Sequence, residues 1–406
     1  MKDEKILIIG AGLGGVSVAQ ALRMQKYDGE VILLDEEGRF PYDRPSLSKD
    51  YLKGKIEQPP FLIDISFFQK EHVLYLSGKR AVCLLPGEQK VMLDNNESLS
   101  YSKLVIATGM IPRRLQVPGS ELKNVFYLRT CRDATELKSH MSPGRRIVIL
   151  GGGLIGCEVA STMADMGLDV TIVESRSELL ECALSAKVGA WLRGLLERKG
   201  VTVRLNAQVR EIHGESRVEK ITTDEDEIPC DLLLVSIGTI PNDGLARTAG
   251  LKCDNGILVD DCGCTSEPNI FALGDVANWP LKNGGRRPLG TFINTQQEAE
   301  AVAAALMGIP VHSPQVPIFW TDIAGQFIQV TGDINGEGEY WERGNMNLGS
   351  PYLLFRVIEG RAMAVLAANA AKDYSAASRL VESKIPITRD VIVDPGMNLR
   401  DLLRKK

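Results

Sequence analysis

Residues 5–15 read KILIIGAGLGG, and residues 146–156 read RIVILGGGLIG. Each is a short apolar run, then Gly-x-Gly-x-x-Gly, then a helical pattern. The first helix carries Val16, Ala19, Ala21 and Leu22, and the second Val159, Ala160, Met163 and Ala164. Each leads into a second β-rich run that ends in acid: residues 31–34 before Asp35 and Glu36, and residues 170–173 before Glu174. Strand, tight glycine turn, helix, strand and terminal acid make the dinucleotide-binding unit. Gly10 and Gly151 allow the sharp turn. Gly12 and Gly153 let the backbone approach a pyrophosphate, with Leu13 and Gly14, or Leu154 and Ile155, opening the helix. Gly15 and Gly156 let helix and strand pack closely. The diphosphate then sits on free amides at a positive helix N-terminus. One such motif is weak evidence; two, each in its strand–helix–strand context, imply two dinucleotides.

Three later strands complete the pattern. KLVIATG (103–109) ends in the small-residue turn Ala107, Thr108, Gly109. DLLLVSIG (231–238) ends at Gly238, and NIFALGD (269–275) ends in Gly274 and Asp275. An acid at such a strand end can accept hydrogen bonds from a polyhydroxyl chain, which the ribityl part of FAD presents. The N-terminal unit therefore belongs to a domain that the second unit interrupts. IPRRLQVPG (111–119) and IPNDG (240–244) are the crossovers. After about Pro317 the pattern becomes β-rich (318–320, 327–331, 352–358, 362–367), with a helix expected from about Ser375 to Ser383. The expected domains are 1–112 with 240–317 for FAD, 113–239 for NAD, and 318–406 as a C-terminal α+β domain.

Composition narrows the function. A chain of 406 residues with 44% hydrophobic and 24% charged residues suits two or three globular domains. Its net charge of -5 argues against a general nucleic-acid binder. No apolar run reaches the ~18 residues a bilayer span needs. The start, MKDEKILII, has no export-signal pattern, so a cytoplasmic location is expected. Cys83, Cys131, Cys157, Cys182, Cys230, Cys253, Cys262 and Cys264 form no Cys-x-x-Cys pair and no zinc pattern, so no metal is expected. Cys262 and Cys264 are read as alternating on a strand-like stretch, both on one face. His72, His140, His213 and His312 have no partner pattern and are read as non-catalytic.

GAGLGG (10–15), PYDRPSLSKDYL (41–52), VIATG (105–109), VILGGGLIGCEVA (148–160), IFALGDVA (270–277) and WTDIAG (320–325) carry a full-length resemblance. The chain resembles the FAD-dependent ferredoxin reductases of bacterial Rieske-type aromatic-ring dioxygenases, such as the biphenyl and toluene systems, relatives of putidaredoxin reductase and apoptosis-inducing factor. The resemblance implies an α/β fold with two Rossmann-like domains on the glutathione-reductase plan and a C-terminal α+β domain. It also implies that Lys49 lies near the reactive flavin edge with Arg44 beside it, where a cation tunes the flavin's potential. Glu158, expected on the first turn of its helix, would face the nicotinamide and pair with Lys49; these two are the expected catalytic residues. Asp275 carries over as the ribityl ligand and Trp320 as the aromatic contact from the third domain, although a tryptophan there can also be plain core. Val82, Arg129, Phe292 and Gly238 complete the expected cofactor-binding set.

Glu174 stands where a carboxylate takes the ribose hydroxyls of NAD and repels a 2′-phosphate. Arg176 could instead accommodate NADP, but NADH is favoured. Cys182 departs from relatives that carry an arginine there. In the first unit strand-end spacing favours Asp35 as the ribose acid, and the resemblance favours Glu36. The expected cycle moves a hydride from NADH to the flavin, which gives electrons singly to a small Rieske-type 2Fe–2S ferredoxin without a protein acid or base. Disulfide reductases of this plan carry a cysteine pair where this chain has RPSLSK (44–49). Three rivals remain: a reductase for a P450-type ferredoxin or rubredoxin, an NADH oxidase, and a redox-sensing flavoprotein. Oxidases usually show a redox cysteine early in the chain, and residues 1–82 contain none. Lys282, Arg286 and Arg287 are the candidates for a basic ferredoxin-docking patch.

Overall fold

The computed structural model describes residues 4–347 and 349–404. The chain divides into two compact units. One comprises residues 1–43, 59–111 and 239–317, and the other residues 44–58, 112–238 and 318–406.

In the first unit a five-stranded parallel sheet runs in the order Ile270–Ala272, Lys103–Ile106, Lys5–Ile9, Glu30–Asp35, Val73–Ser77. Its strands read as unbroken apolar runs because both faces are covered. Ile6, Leu7, Ile8, Leu33, Leu104 and Val105 are fully buried. Each such side chain contributes roughly 1.5–3 kcal/mol of transfer free energy to the sheet. The helix Leu13–Met24 follows the first strand and packs on Phe292–Leu306. Two three-stranded sheets complete the unit, Ala81–Leu85 with Lys90–Leu93 and Ser98–Ser100, and Ile257–Leu258 with Ala277–Pro280 and Arg286–Arg287.

The second unit holds two five-stranded sheets. The parallel one runs Thr202–Arg204, Asp169–Val173, Arg146–Leu150, Leu232–Val235, Val125–Phe126. The antiparallel one runs Ile318–Ile323, Gln326–Thr331, Arg361–Ala368, Tyr352–Ile358, Glu339–Gly344. The expected strands of residues 318–367 are present, joined by Glu339–Gly344, which the charged text EYWERG concealed. The terminal helix is longer than expected, Ala371–Ser383, and Arg389–Val393 and Arg400–Arg404 follow it. Arg343 secures this end: its guanidinium, 5% exposed, donates to the carbonyls of Ile392, Asp394, Pro395 and Met397.

Cys262 and Cys264 do not alternate on a strand. They lie in a turn whose amides donate to Asp260 Oδ1, and their thiols point to the carbonyls of Val311 and Pro268. A carboxylate two residues before Cys262 folded this stretch back on itself, which side-chain alternation does not anticipate. Among the described residues no helix is long and apolar enough to cross a membrane.

Candidate functional site

In the first unit the glycine turn closes as its spacing requires. Gly10 has φ +104°, and a Cβ there would lie 2.4 Å from the Ala107 carbonyl oxygen. A Cβ on Gly15 would lie 1.9 Å from the Gly10 oxygen, so any side chain would force helix and strand apart. A Cβ on Gly12 would meet no atom within 4 Å. Gly12 is also the extended N-cap of Leu13–Met24, with no side-chain cap and no acid in the first turn. Uncapped amides beside a backbone that nothing crowds fit a diphosphate. Gly14 lies against Ala107, Leu273 and Thr295, which brings the 107–109 and 273–275 strand ends to this turn. Thr108 Oγ1 donates to the Asn242 carbonyl at 2.8 Å. Phe292 opens the helix behind, and Val82 stands half exposed on the antiparallel sheet Ala81–Leu85.

The two acids after the second strand differ. Asp35 is 8% exposed, and its carboxylate accepts from the amides of Glu37, Gly38 and Arg39. It therefore builds the turn. Glu36 is exposed, at 3.8 Å from Arg80.

A residue missed at the sequence level supports this site from beneath. Glu298, on the alanine-rich helix Phe292–Leu306, is 1% exposed and accepts from the Gly274 amide at 2.6 Å. Burial pushes its pKa up to about 8, with the amide opposing and Asp275 adding to the rise.

The second unit repeats the turn. Gly151 has φ +101°, a Cβ on Gly156 would lie 2.1 Å from the Gly151 oxygen, and one on Gly153 would meet nothing within 4 Å. Gly153 is the uncapped extended N-cap of Leu154–Asp165, and Ile155 is 37% exposed beside it. Gly238 follows the strand Leu232–Val235 with φ +100°. Glu174 accepts from the amides of Gly152 at 2.6 Å and Arg176 at 2.9 Å, which fixes the acid beside the turn.

Glu158 is the fifth residue of its helix, on the second turn rather than the first, because the helix begins inside the fingerprint at Leu154. Its carboxylate is 7% exposed and takes three donors: Lys49 Nζ at 2.7 Å, Ser48 Oγ at 2.7 Å and Thr321 Oγ1 at 2.7 Å. Lys49 sits in a π-helical turn, Leu47–Tyr51, and its side chain is 28% exposed. Arg44 opens the preceding 3-10 turn and donates to the Arg129 carbonyl at 3.0 Å. Trp320 is half-buried on the strand Ile318–Ile323, next to Thr321. Ser48 and Thr321 were not singled out in the sequence, where each reads as an ordinary hydroxyl in a loop and a strand.

Cysteine chemistry is closed off where it would matter. Cys157 precedes Glu158, and burial pushes its thiol far above the ordinary value. The Cys230 thiol is pushed up to about 12 by the same cause. Among the described residues no disulfide is formed. The cluster Asp260, Asp261 and Cys262 has donor atoms close together, but exposed acids commonly cluster without a metal.

Two family models match the chain: pyridine nucleotide-disulphide oxidoreductase over residues 4–307, and reductase C-terminal over residues 318–403. The chain is 45% identical over 400 residues to the benzene 1,2-dioxygenase system ferredoxin–NAD(+) reductase subunit of Pseudomonas putida, covering 98% of this chain and 97% of that protein. It is 44% identical over 404 residues to the biphenyl dioxygenase system ferredoxin–NAD(+) reductase component of Paraburkholderia xenovorans (strain LB400), covering 99% of each. Among solved structures, the covalent putidaredoxin reductase–putidaredoxin complex matches with a TM-score of 0.94 at 28% identity, covering 100% of this chain and 99% of that one. With both glycine turns in place and matches that run the length of the sequence, the chain belongs to the pyridine nucleotide-disulphide oxidoreductase family, whose members use FAD and NAD(H), and it carries a reductase C-terminal domain.

Proposed function

We propose that this protein is the NADH:ferredoxin reductase component of an aromatic-ring-hydroxylating dioxygenase system, with a small 2Fe–2S ferredoxin as its acceptor. The observation that carries the reading is the ion pair between Lys49 and Glu158, the latter on the helix directly behind the second glycine turn, where burial holds the neighbouring Cys157 thiol protonated. When bound, FAD supplies the step from a two-electron donor to one-electron acceptors. The protein's residues bind and orient.

The functional division is 1–112 with 240–317 for FAD, 113–239 for NADH, and 318–406 as the C-terminal domain, each built on its own five-stranded sheet. The turn 10–15 and the segment 107–109 hold the FAD diphosphate side, and Asp275 takes ribityl hydroxyls. Glu36, exposed next to the buried Asp35, takes the FAD ribose. The turn 151–156 and Glu174 hold NADH, a buried acid at the ribose position disfavouring a 2′-phosphate. Lys49, Arg44 and Trp320 orient the flavin ring, with Val82, Arg129 and Phe292 around the cofactor and Gly238 on the nicotinamide side. Ferredoxin docks at the exposed hairpin carrying Lys282, Arg286 and Arg287, which runs on to Gly290, 4.0 Å from Asp275 at its Cβ position. A cytoplasmic location accords with a supply of NADH.

Steady-state NADH oxidation with three acceptors in parallel tests this: a Rieske-type ferredoxin, air alone and hydrogen peroxide. Fast turnover with ferredoxin only is expected. Fast turnover with oxygen or peroxide and none with ferredoxin would make the protein an oxidase.

A further inference from the structure

The helix Leu154–Asp165 carries Glu158, Ser161, Thr162 and Asp165, a spacing that places all four on one face. Each bonds away from its own helix. Ser48 Oγ and Lys49 Nζ donate to Glu158 Oε2, and Thr321 Oγ1 donates to Oε1. Thr162 Oγ1 donates to the Ser48 carbonyl at 2.9 Å, and the Ala324 amide donates to Ser161 Oγ at 3.2 Å. Asp165 pairs with Lys53 and Lys199. One helix face thus pins both the π-helical turn Leu47–Tyr51 and the strand Ile318–Ile323.

The pinning matters most at Glu158. Ser48 is 5% exposed, Thr321 1% and Glu158 7%, so bulk water does not replace a lost donor there. Lys49 is a compact charge on a long flexible stem, held closely by the Glu158 carboxylate at 2.7 Å and more weakly by the Pro45 carbonyl at 3.4 Å. The carboxylate determines where its ammonium rests, and the two hydroxyls determine where the carboxylate rests. Without Thr321, Oε1 has no side-chain donor, and the carboxylate must turn, taking Lys49 with it.

We propose that Ser48 and Thr321 are positioning residues for Lys49: their hydroxyls lock the Glu158 carboxylate, and through it the ammonium, on the helix that follows the NADH turn. The inference rests on the reading of Lys49 and Glu158 as the pair at which electrons enter. Thr321 adjoins Trp320, so the same hydrogen bond ties the C-terminal strand to that pair.

The test uses the FAD-loaded full chain as Thr321→Val, Thr321→Ser, Ser48→Ala, Lys49→Met, and Thr321→Val combined with Lys49→Met. Anaerobic rapid mixing with NADH gives the limiting rate of flavin bleaching and the NADH Kd, and redox titration gives the bound flavin's midpoint potential. Thr321→Val is expected to slow the limiting rate by about 10-fold with Kd changed less than about twofold, because orientation is lost and binding is not. Its midpoint potential moves negative, and Thr321→Ser restores both values. Ser48→Ala moves both in the same direction by less, since Lys49 still donates to Oε2. Adding Thr321→Val to Lys49→Met has no further effect, because the two act as one unit. Unchanged rate and potential in Thr321→Val overturn the proposal, as does a loss that Thr321→Ser fails to restore or that adds in full to Lys49→Met. Should Thr321→Val not fold, Ser48→Ala with wild-type rate and potential overturns it as well. Failure of the wild type to reduce ferredoxin would instead strike the proposed function and leave these comparisons intact.

Discussion

The two glycine turns are near copies, and the helices behind them are not. Gly10 and Gly151 share φ values of +104° and +101°, and a Cβ added at Gly15 or Gly156 would clash with the turn in front of it at 1.9 and 2.1 Å. At the fifth, eighth and ninth helix positions the first unit has Ser17, Gln20 and Ala21, whereas the second has Glu158, Ser161 and Thr162. The first helix is plain packing, burying Val16, Val18, Ala19 and Leu22. The second buries a carboxylate and two hydroxyls that reach other segments. On the proposed function both turns hold a dinucleotide diphosphate, so what distinguishes the two units lies on the helix faces behind them.

Damage to each turn alone should give different losses. Gly15→Val is expected to give colourless protein, because its side chain meets the Gly10 carbonyl and the FAD turn cannot close. Gly156→Val should stay yellow while its KM for NADH rises by about 100-fold or more, a loss of ~3 kcal/mol of binding. Equal loss of flavin in both variants would refute separate roles for the turns. The next effect sits on the helix face. Lys49→Met should lower the limiting rate of flavin bleaching by NADH by about 100-fold with the flavin retained, the rate read by rapid mixing and retention by absorbance.

Glu298 belongs to the first unit alone, and its signature is pH. Burial raises its pKa from the ordinary carboxyl value of 4.5 to about 8. The native state therefore keeps a proton that the unfolded chain has released. That contribution is fully present below pH 4.5 and is lost as pH rises through about 8. Glu298→Gln keeps an acceptor for the Gly274 amide and carries no charge. Relative to wild type it should gain about 4 kcal/mol of stability between pH 5 and pH 9, as measured by thermal unfolding. A difference that does not change with pH would mean that burial does not hold the proton there. The smallest effect is at the surface. Arg286→Glu with Arg287→Glu should raise the ferredoxin KM by about fivefold at low salt and leave the NADH KM unchanged. Ferredoxin kinetics that keep their wild-type KM and salt dependence would remove this hairpin as the docking site.

Much of this was legible in the sequence because periodicity is local. Apolar runs such as KILII and RIVIL, buried on both faces, announced the parallel strands, and the glycine spacing announced the turns. The Lys49–Glu158 pair was reached through the resemblance carried by PYDRPSLSK, since residues 109 apart show no local pattern. Ser48 and Thr321 lay beyond both routes: their bonds to Glu158 span 110 and 163 residues, and neither residue type marks a site. Glu298 was hidden in an alanine-rich helix, where an acid ordinarily reads as solvated. The strand Glu339–Gly344 was missed because the core-side partner of Trp341 is Arg343, a charge satisfied by carbonyls that only the folded chain brings near. In the first unit strand-end spacing points to Asp35 and the resemblance to Glu36, because two adjacent acids share one local pattern.

On the proposed function, electrons enter from NADH at the second unit and leave singly to an iron–sulfur partner. The direct measurement is anaerobic: bleach the yellow protein with one equivalent of NADH, then add oxidised ferredoxin in steps while following flavin absorbance. Full recovery of the colour after about two equivalents of ferredoxin, within the mixing time, is the predicted result. Protein that stays bleached with ferredoxin and recovers only when air is admitted would contradict the account.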